Sequence, residues 1–206
     1  MTIPWRAVAA RSASLLLRYP DDTVLAALPL ILDVLPGLPA EVGTPLHTVA
    51  RHRLGTGTRE LQAEYVELFD FRRRCALHLT YYTCGDTRRR GEALANVAAV
   101  YKAAGLEVVD GELPDHLPAL LDLAAADAAG GSGWRLLREY RVGLDLLATA
   151  LERSLYRHAI QAVRAMLPPA GPAELAAAAR LARAGPPQEQ VGLEPYGLVD
   201  TTGGRR

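Results

Sequence analysis

Residues 59–91 read RELQAEYVELFDFRRRCALHLTYYTCGDTRRRG, and a shorter companion, GELPDHLP, occupies residues 111–118. In the first stretch Leu61, Tyr65, Leu68 and Phe69 recur at i, i+4, i+7 and i+8, the spacing of one apolar helix face. Glu60, Glu64 and Glu67 fall on the opposite side. Thr58 is placed to cap this helix. Two arginine triplets, Arg72–Arg74 and Arg88–Arg90, bracket Cys75–Tyr82. That segment has strand-like composition, but no other strand candidate exists to pair with it, so it is read as helix. Gly85 ends it, and Asp86 caps the next helix.

Working outward, helices account for nearly all of the chain. Before the central stretch, Pro4 opens a helix with Val8, Ser12, Leu15 and Leu16 on one face. A second carries Val24, Leu25, Leu28, Ile31, Leu32 and Leu35 with a kink at Pro29. A third presents Val42, Leu46 and Val49. After the stretch, a helix with Leu94, Val97, Ala98 and Tyr101 stops at Gly105. Residues 106–113 form an acidic loop, and Asp115 is placed to cap a helix bearing Leu117, Leu120, Leu121 and Ala124. One long helix presents Trp134, Leu137, Leu144, Leu147 and Leu151, and the next Leu155, Ala159, Ala162, Val163 and Met166. An alanine-rich helix over 173–184 is the last. The expected architecture is all-α: one helical bundle over 1–184, a sub-layer boundary near the glycine-rich 130–133, and a loose Pro/Gly tail over 185–206.

Composition narrows the function. The 206 residues are 50% apolar and 22% charged, with 23 basic and 23 acidic side chains. Such a balance supplies no global field for gathering nucleic acid or anionic lipid. Two cysteines without a CxxC fit a reducing cytoplasm. The N-terminal apolar run is cut by Arg18 and ended by Pro20, too short for a signal-peptide core, and no uncharged stretch is long enough to span a bilayer. The expected location is the cytoplasm.

No GxSxG, Walker loop, HExxH or GxGxxG occurs, so no catalytic residue is assigned. Cys75, His78 and Cys84 fall short of the four ligands a structural zinc site takes, and read as buried thiols and an interface histidine. No metal or other cofactor is expected. The arginine triplets have acids close by and no interleaved aromatic residues, and read as solvated faces with internal ion pairs. Glu112, Asp115 and His116 are the one trio able to do acid–base or hydrogen-bonding work. Helix capping accounts for it, and so does a polar pocket that grips a partner peptide.

Three blocks then carry a resemblance: Tyr65–Asp70 (YVELFD), Gly85–Gly91 (GDTRRRG) and Glu112–Pro118 (ELPDHLP). In order and spacing they resemble the nitrate reductase assembly chaperones, the NarJ or delta-subunit branch of the redox-enzyme maturation proteins, over residues 11–167. The broader superfamily carries Glu-Pro-x-Asp-His; here the proline falls one place later, at Pro114. The resemblance implies an all-helical chaperone without enzymatic activity. Its client is the apo catalytic (alpha) subunit of respiratory nitrate reductase, bound partly through an N-terminal segment that resembles a twin-arginine leader. The client is held in the cytoplasm until molybdenum cofactor and iron–sulfur cluster are inserted, and only then docks on its membrane subunit. The site residues implied are Tyr65, Leu68, Phe69, Asp70, Glu112, Pro114, Asp115 and His116, with Gly85, Asp86 and Arg88 shaping a supporting turn. For Tyr65, Leu68 and Phe69, plain core packing explains the spacing equally well. Nucleic acid and membrane insertion are not expected, and monomer and homodimer both stay open. The alternatives are a generic helical peptide adaptor and a metal- or nucleic-acid-binding helical protein.

Overall fold

The computed structural model describes residues 4–109, 111–127 and 131–187. Twelve α-helices lie in these segments: α1 (Trp5–Leu16), α2 (Asp22–Ala26), α3 (Leu28–Val34), α4 (Ala40–Gly55), α5 (Thr58–Tyr65), α6 (Leu79–Cys84), α7 (Arg88–Ala103), α8 (Leu117–Ala126), α9 (Ser132–Glu139), α10 (Arg141–Ala150), α11 (Arg157–Ala165) and α12 (Pro172–Ala184). Among the described residues there is no β-strand, only a single isolated bridge between His78 and His116. The all-α expectation holds.

Small residues bring the central helices together. α1 packs against α8, α4 and α11, and α4 lies along α11. The buried residues of α1 are Ala7, Ala9, Ala10, Ser12, Ala13, Ser14 and Leu16; of the expected face Ser12 and Leu16 are buried, and Val8 and Leu15 are half-buried. Without bulky side chains between them, α1 and α8 approach closely enough for Ser14 Oγ to donate to the Pro118 carbonyl at 2.9 Å. Gly133, in the first turn of α9, serves the same purpose. A Cβ there would stand 2.3 Å from the Ala124 backbone nitrogen, so only glycine lets α9 cross α8. Of the glycine-rich segment read as a boundary, Gly130 lies outside the described residues, as does the tail beyond Pro187.

Several helix ends differ from the sequence reading. The helix expected to kink at Pro29 is broken at Ala27, and Pro29 sits in the first turn of α3, where its missing N–H costs nothing. The long helix expected over 134–151 breaks at Tyr140 into α9 and α10. Leu155 precedes α11 and is exposed, and Ala98 points to solvent on α7. Gly57, not Thr58, is the N-cap of α5, and Thr87, not Asp86, that of α7.

Candidate functional site

The central stretch does not run as one helix. After α5 the chain widens into a single π turn, Val66–Asp70, closed by the Phe71 amide on the Val66 carbonyl at 3.1 Å. Such wide turns recur at functional sites. A short 3-10 turn, Arg73–Cys75, follows. Residues 76–78, expected to be helical, lie outside any helix, and His78 pairs with the companion block. The Leu117 amide donates to the Leu77 carbonyl at 2.8 Å, and the Leu79 amide to the Asp115 carbonyl at 3.1 Å. This one bridge ties the two blocks together.

Asp115 locks the bridge. Its side chain is 0% exposed. One carboxylate oxygen accepts from the Thr80 backbone amide at 3.1 Å and from the Thr80 hydroxyl at 2.5 Å, and the other lies 3.3 Å from His78 Nδ1. Asp115 therefore does cap a helix, but the N-terminus of α6 rather than its own α8, whose N-cap residue is His116 with no side-chain cap bond. Burial pushes the Asp115 carboxyl up; the bonds from His78 and Thr80 outweigh it and hold the group below the usual carboxylate range.

A cavity of about 330 Å³ opens above this bridge, lined by Arg18, Tyr19, Asp21, Tyr65, Phe69, Asp70, Leu77, His78, Glu112 and His116. Its floor is aromatic. The Tyr65 and Phe69 rings stand 4.7 Å apart, Tyr19 meets Tyr65 edge-on at 5.6 Å, and Phe69 meets Tyr156 at 5.1 Å. The Tyr65 hydroxyl donates to the Leu17 carbonyl at 3.2 Å, and burial pushes its pKa up, so it remains a donor. Tyr65 and Phe69 are thus both core and floor.

The rim is acidic. Asp70 is exposed and makes no ion pair among the described residues. Glu112 Oε2 lies 3.2 Å from His116 Nδ1. Burial pushes the His116 pKa down to about 4; Glu112 opposes this, while His78 and Arg18 add to it. Near neutral pH the imidazole is uncharged and leaves the Glu112 charge uncompensated. Arg18, also on the rim, is engaged by Asp122 at 2.6 Å. The result is a cup with an aromatic floor, above which Asp70 and Glu112 have no cationic partner among the described residues. It suits a ligand that pairs a cation with an apolar side chain.

Of the eight residues expected to bind a partner, five line this cup: Tyr65, Phe69, Asp70, Glu112 and His116. Asp115 stands behind it, and Pro114 is half-buried in the turn leading to the bridge. Leu68 instead lines a separate cavity under α12. An adjoining hollow of about 360 Å³ shares Phe69, Asp70 and His78 with the cup and adds Arg73, Asp86 and Arg90. Asp86 ion-pairs with both Arg73 and Arg90 there, the latter at 3.2 Å. Gly85 is buried against the Pro187 carbonyl, and Arg88 is exposed at the start of α7. No group of three or more His, Cys, Asp or Glu among the described residues is arranged to hold a metal ion.

Several residues of the site escape the sequence reading, among them Tyr19, Thr80, Tyr156 and Arg53. Arg53 is 1% exposed beneath the floor. It donates to the Leu15 and Arg18 carbonyls at 3.3 and 2.6 Å and to the Tyr156 hydroxyl at 3.2 Å, capping the C-terminal end of α1. The signal was present: Arg53 continues the stripe Val42, Leu46, Val49 at helical spacing.

A family model described as nitrate reductase delta subunit matches residues 35–164, which contain both blocks. The chain is 36% identical to the nitrate reductase-like protein NarX of Mycobacterium tuberculosis H37Rv over 77% of its length, and spans 24% of that longer protein. It is 31% identical to the nitrate reductase molybdenum cofactor assembly chaperone NarJ of Escherichia coli K12, covering 71% of this chain and 63% of that one. The probable assembly chaperone NarJ of Bacillus subtilis 168 is 30% identical, with 79% and 89% covered. A crystal structure of a putative redox enzyme maturation protein from Archaeoglobus fulgidus shares the fold, with a TM-score of 0.58 at 23% identity over 77% of this chain and 91% of that one. The chain belongs to the nitrate reductase delta subunit family.

Proposed function

We propose that the protein is a non-catalytic assembly chaperone for a respiratory nitrate reductase. It acts in the cytoplasm, where it binds the apo catalytic subunit, in part through that subunit's N-terminal segment. It holds the client until molybdenum cofactor and iron–sulfur cluster are inserted, and releases it before membrane docking. The observation that carries this reading is the cup itself. Two sequence blocks are joined by one bridge so that Asp70 and Glu112 stand uncompensated over Tyr65 and Phe69. A leader-like segment supplies the complement, arginines beside apolar residues.

Each charge-assisted bond between such an arginine and a rim carboxylate contributes about 1–3 kcal/mol. A few of these, with one apolar side chain on the floor, give a complex that forms readily and still dissociates. In this reading Tyr65, Phe69, Asp70, Glu112 and His116 touch the client, while Asp115, Pro114 and the Gly85–Asp86–Arg88 turn hold the cup in shape. Calorimetric titration with the N-terminal peptide of the catalytic subunit is the test. Wild type binds, and the Asp70→Asn/Glu112→Gln double variant, folded normally, loses at least about tenfold in affinity. Equal affinities would rule out the cup as the client site.

A further inference from the structure

A second cavity, about 790 Å³, shares no lining residue with the cup. Its floor is apolar, formed by Leu68, Tyr82, Leu146 and Ala150, and its roof is α12. That roof fits loosely. No residue of α12 is fully buried, and the half-buried stripe Glu174, Ala177, Ala178 and Leu181 leaves the space beneath unfilled.

The charges around the cavity are one-sided. Arg72, Arg73, Arg74 and Arg153 line it against a single acid, Glu152. Glu67 and Asp86 pair with Arg72 and Arg73, but these bridges are exposed and do not line the cavity. Exposed pairs of this kind contribute little and exchange readily. Arg74 makes no ion pair among the described residues, and Arg153 stands 4.0 Å from Glu152 with both side chains in solvent. α12 brings no acid to them: its Glu174 is spent on the Gly171 amide at 2.7 Å. The roof thus shares the floor's apolarity, leaves a gap above it, and brings no acid to Arg74 or Arg153.

We propose that this cavity is a second docking surface, for an amphipathic helix whose aliphatic stripe is bordered by acidic side chains, and that α12 is its displaceable cover. The occupant replaces α12 against Leu146 and Ala150 and meets Arg74 and Arg153 with carboxylates. Gly85 anchors the cover at its far end. A Cβ there would stand 1.7 Å from the Pro187 carbonyl oxygen, so the glycine at the head of the GDTRRRG block is the seat of the cover.

The test uses the full chain and two labelled synthetic helices, each with leucines at i, i+3, i+4 and i+7. One is flanked by glutamates and the other by lysines. Fluorescence anisotropy is followed for wild type, for Leu181→Lys, which weakens the cover, and for Arg74→Glu/Arg153→Glu. The glutamate helix binds Leu181→Lys about tenfold more tightly than wild type, and charge reversal of the arginines removes at least that factor. The lysine helix does not bind. Equal binding of the two helices, or indifference to the arginine reversal, overturns the acidic partner; equal affinity for wild type and Leu181→Lys overturns the role of α12. Titration of the nitrate reductase leader peptide stays unchanged in all three proteins, so failure here is distinguishable from failure of the cup.

Discussion

Within the block Glu112–Pro118 two carboxylates three residues apart meet opposite fates. Asp115 is fully buried and its oxygens are taken by Thr80 and His78. Glu112 is exposed, and its one ion-pair neighbour is an imidazole held neutral. The first carboxylate builds the frame that the second decorates. A buried acid whose bonds are all internal is architecture, whereas an acid whose charge is left unanswered is available to a ligand. The frame and the rim should therefore separate cleanly in measurement.

The largest loss belongs to the floor. Phe69→Ala removes a ring packed between Tyr65 and Tyr156 and costs on the order of 3–5 kcal/mol, together with client binding. Unchanged melting would show that the ring is not core. Asp115→Ala comes next, at about 3 kcal/mol. It strands the Thr80 amide and hydroxyl and uncaps α6. Asp115→Asn, which keeps an acceptor, should recover part of that loss in chemical denaturation; equal losses would mean that the hydrogen bonds do not matter. Gly85→Ala forces a side chain into φ +61° and against the Pro187 carbonyl, at roughly 1–3 kcal/mol.

The pH response separates the same two groups. The folded-state pKa of His116 lies near 4, below the ordinary value of 6.5. Between these values the unfolded chain binds the extra proton, so stability is full above pH 6.5 and drains as pH falls toward 4. Asp115, held below the usual carboxylate range, contributes fully above that range and is lost only as pH falls through it. His116→Gln should flatten the loss of stability between pH 7 and pH 5.5, on the order of 1 kcal/mol, and leave the more acidic limb in place. An unchanged slope would mean that burial does not keep this imidazole neutral.

How much of this was legible in the sequence follows the same division. Periodicity located α4 and α8 and the apolar face of Leu61, Tyr65, Leu68 and Phe69, because a one-sided helix writes its burial into its spacing. The bridge between residues 77–79 and 115–117 left no such mark. A single pair of backbone bonds has no period, and the strand-like composition of 75–82 had no second strand to suggest a partner. From the sequence Asp115 is placed to cap its own helix, because an acid just before a helix usually does. The structure spends it on α6, reached only through the bridge. Tyr140 breaks the helix between α9 and α10 with neither glycine nor proline to announce it. The rim was legible through family resemblance rather than pattern, since solvent-facing acids are common on any helical surface.

The smallest stability effect, and the sharpest test of the comparison, lies at that rim. Glu112→Gln keeps the size of the side chain and removes only its charge. In the free protein its contacts are the Leu113 amide at 3.0 Å and His116 Nδ1 at 3.2 Å, and a glutamine oxygen accepts at either. Melting should therefore shift by less than about 0.5 kcal/mol, within the range of an ordinary surface change. Binding tells the opposite story. If the rim carboxylates pair with client arginines as proposed, they are exposed enough to be screened, so the affinity of the wild type for the leader peptide should fall as salt rises. In Glu112→Gln the affinity starts lower and the salt dependence is shallower, because one of the screened pairs is gone. A salt response identical to wild type would place Glu112 outside the contact and return the cup to the frame.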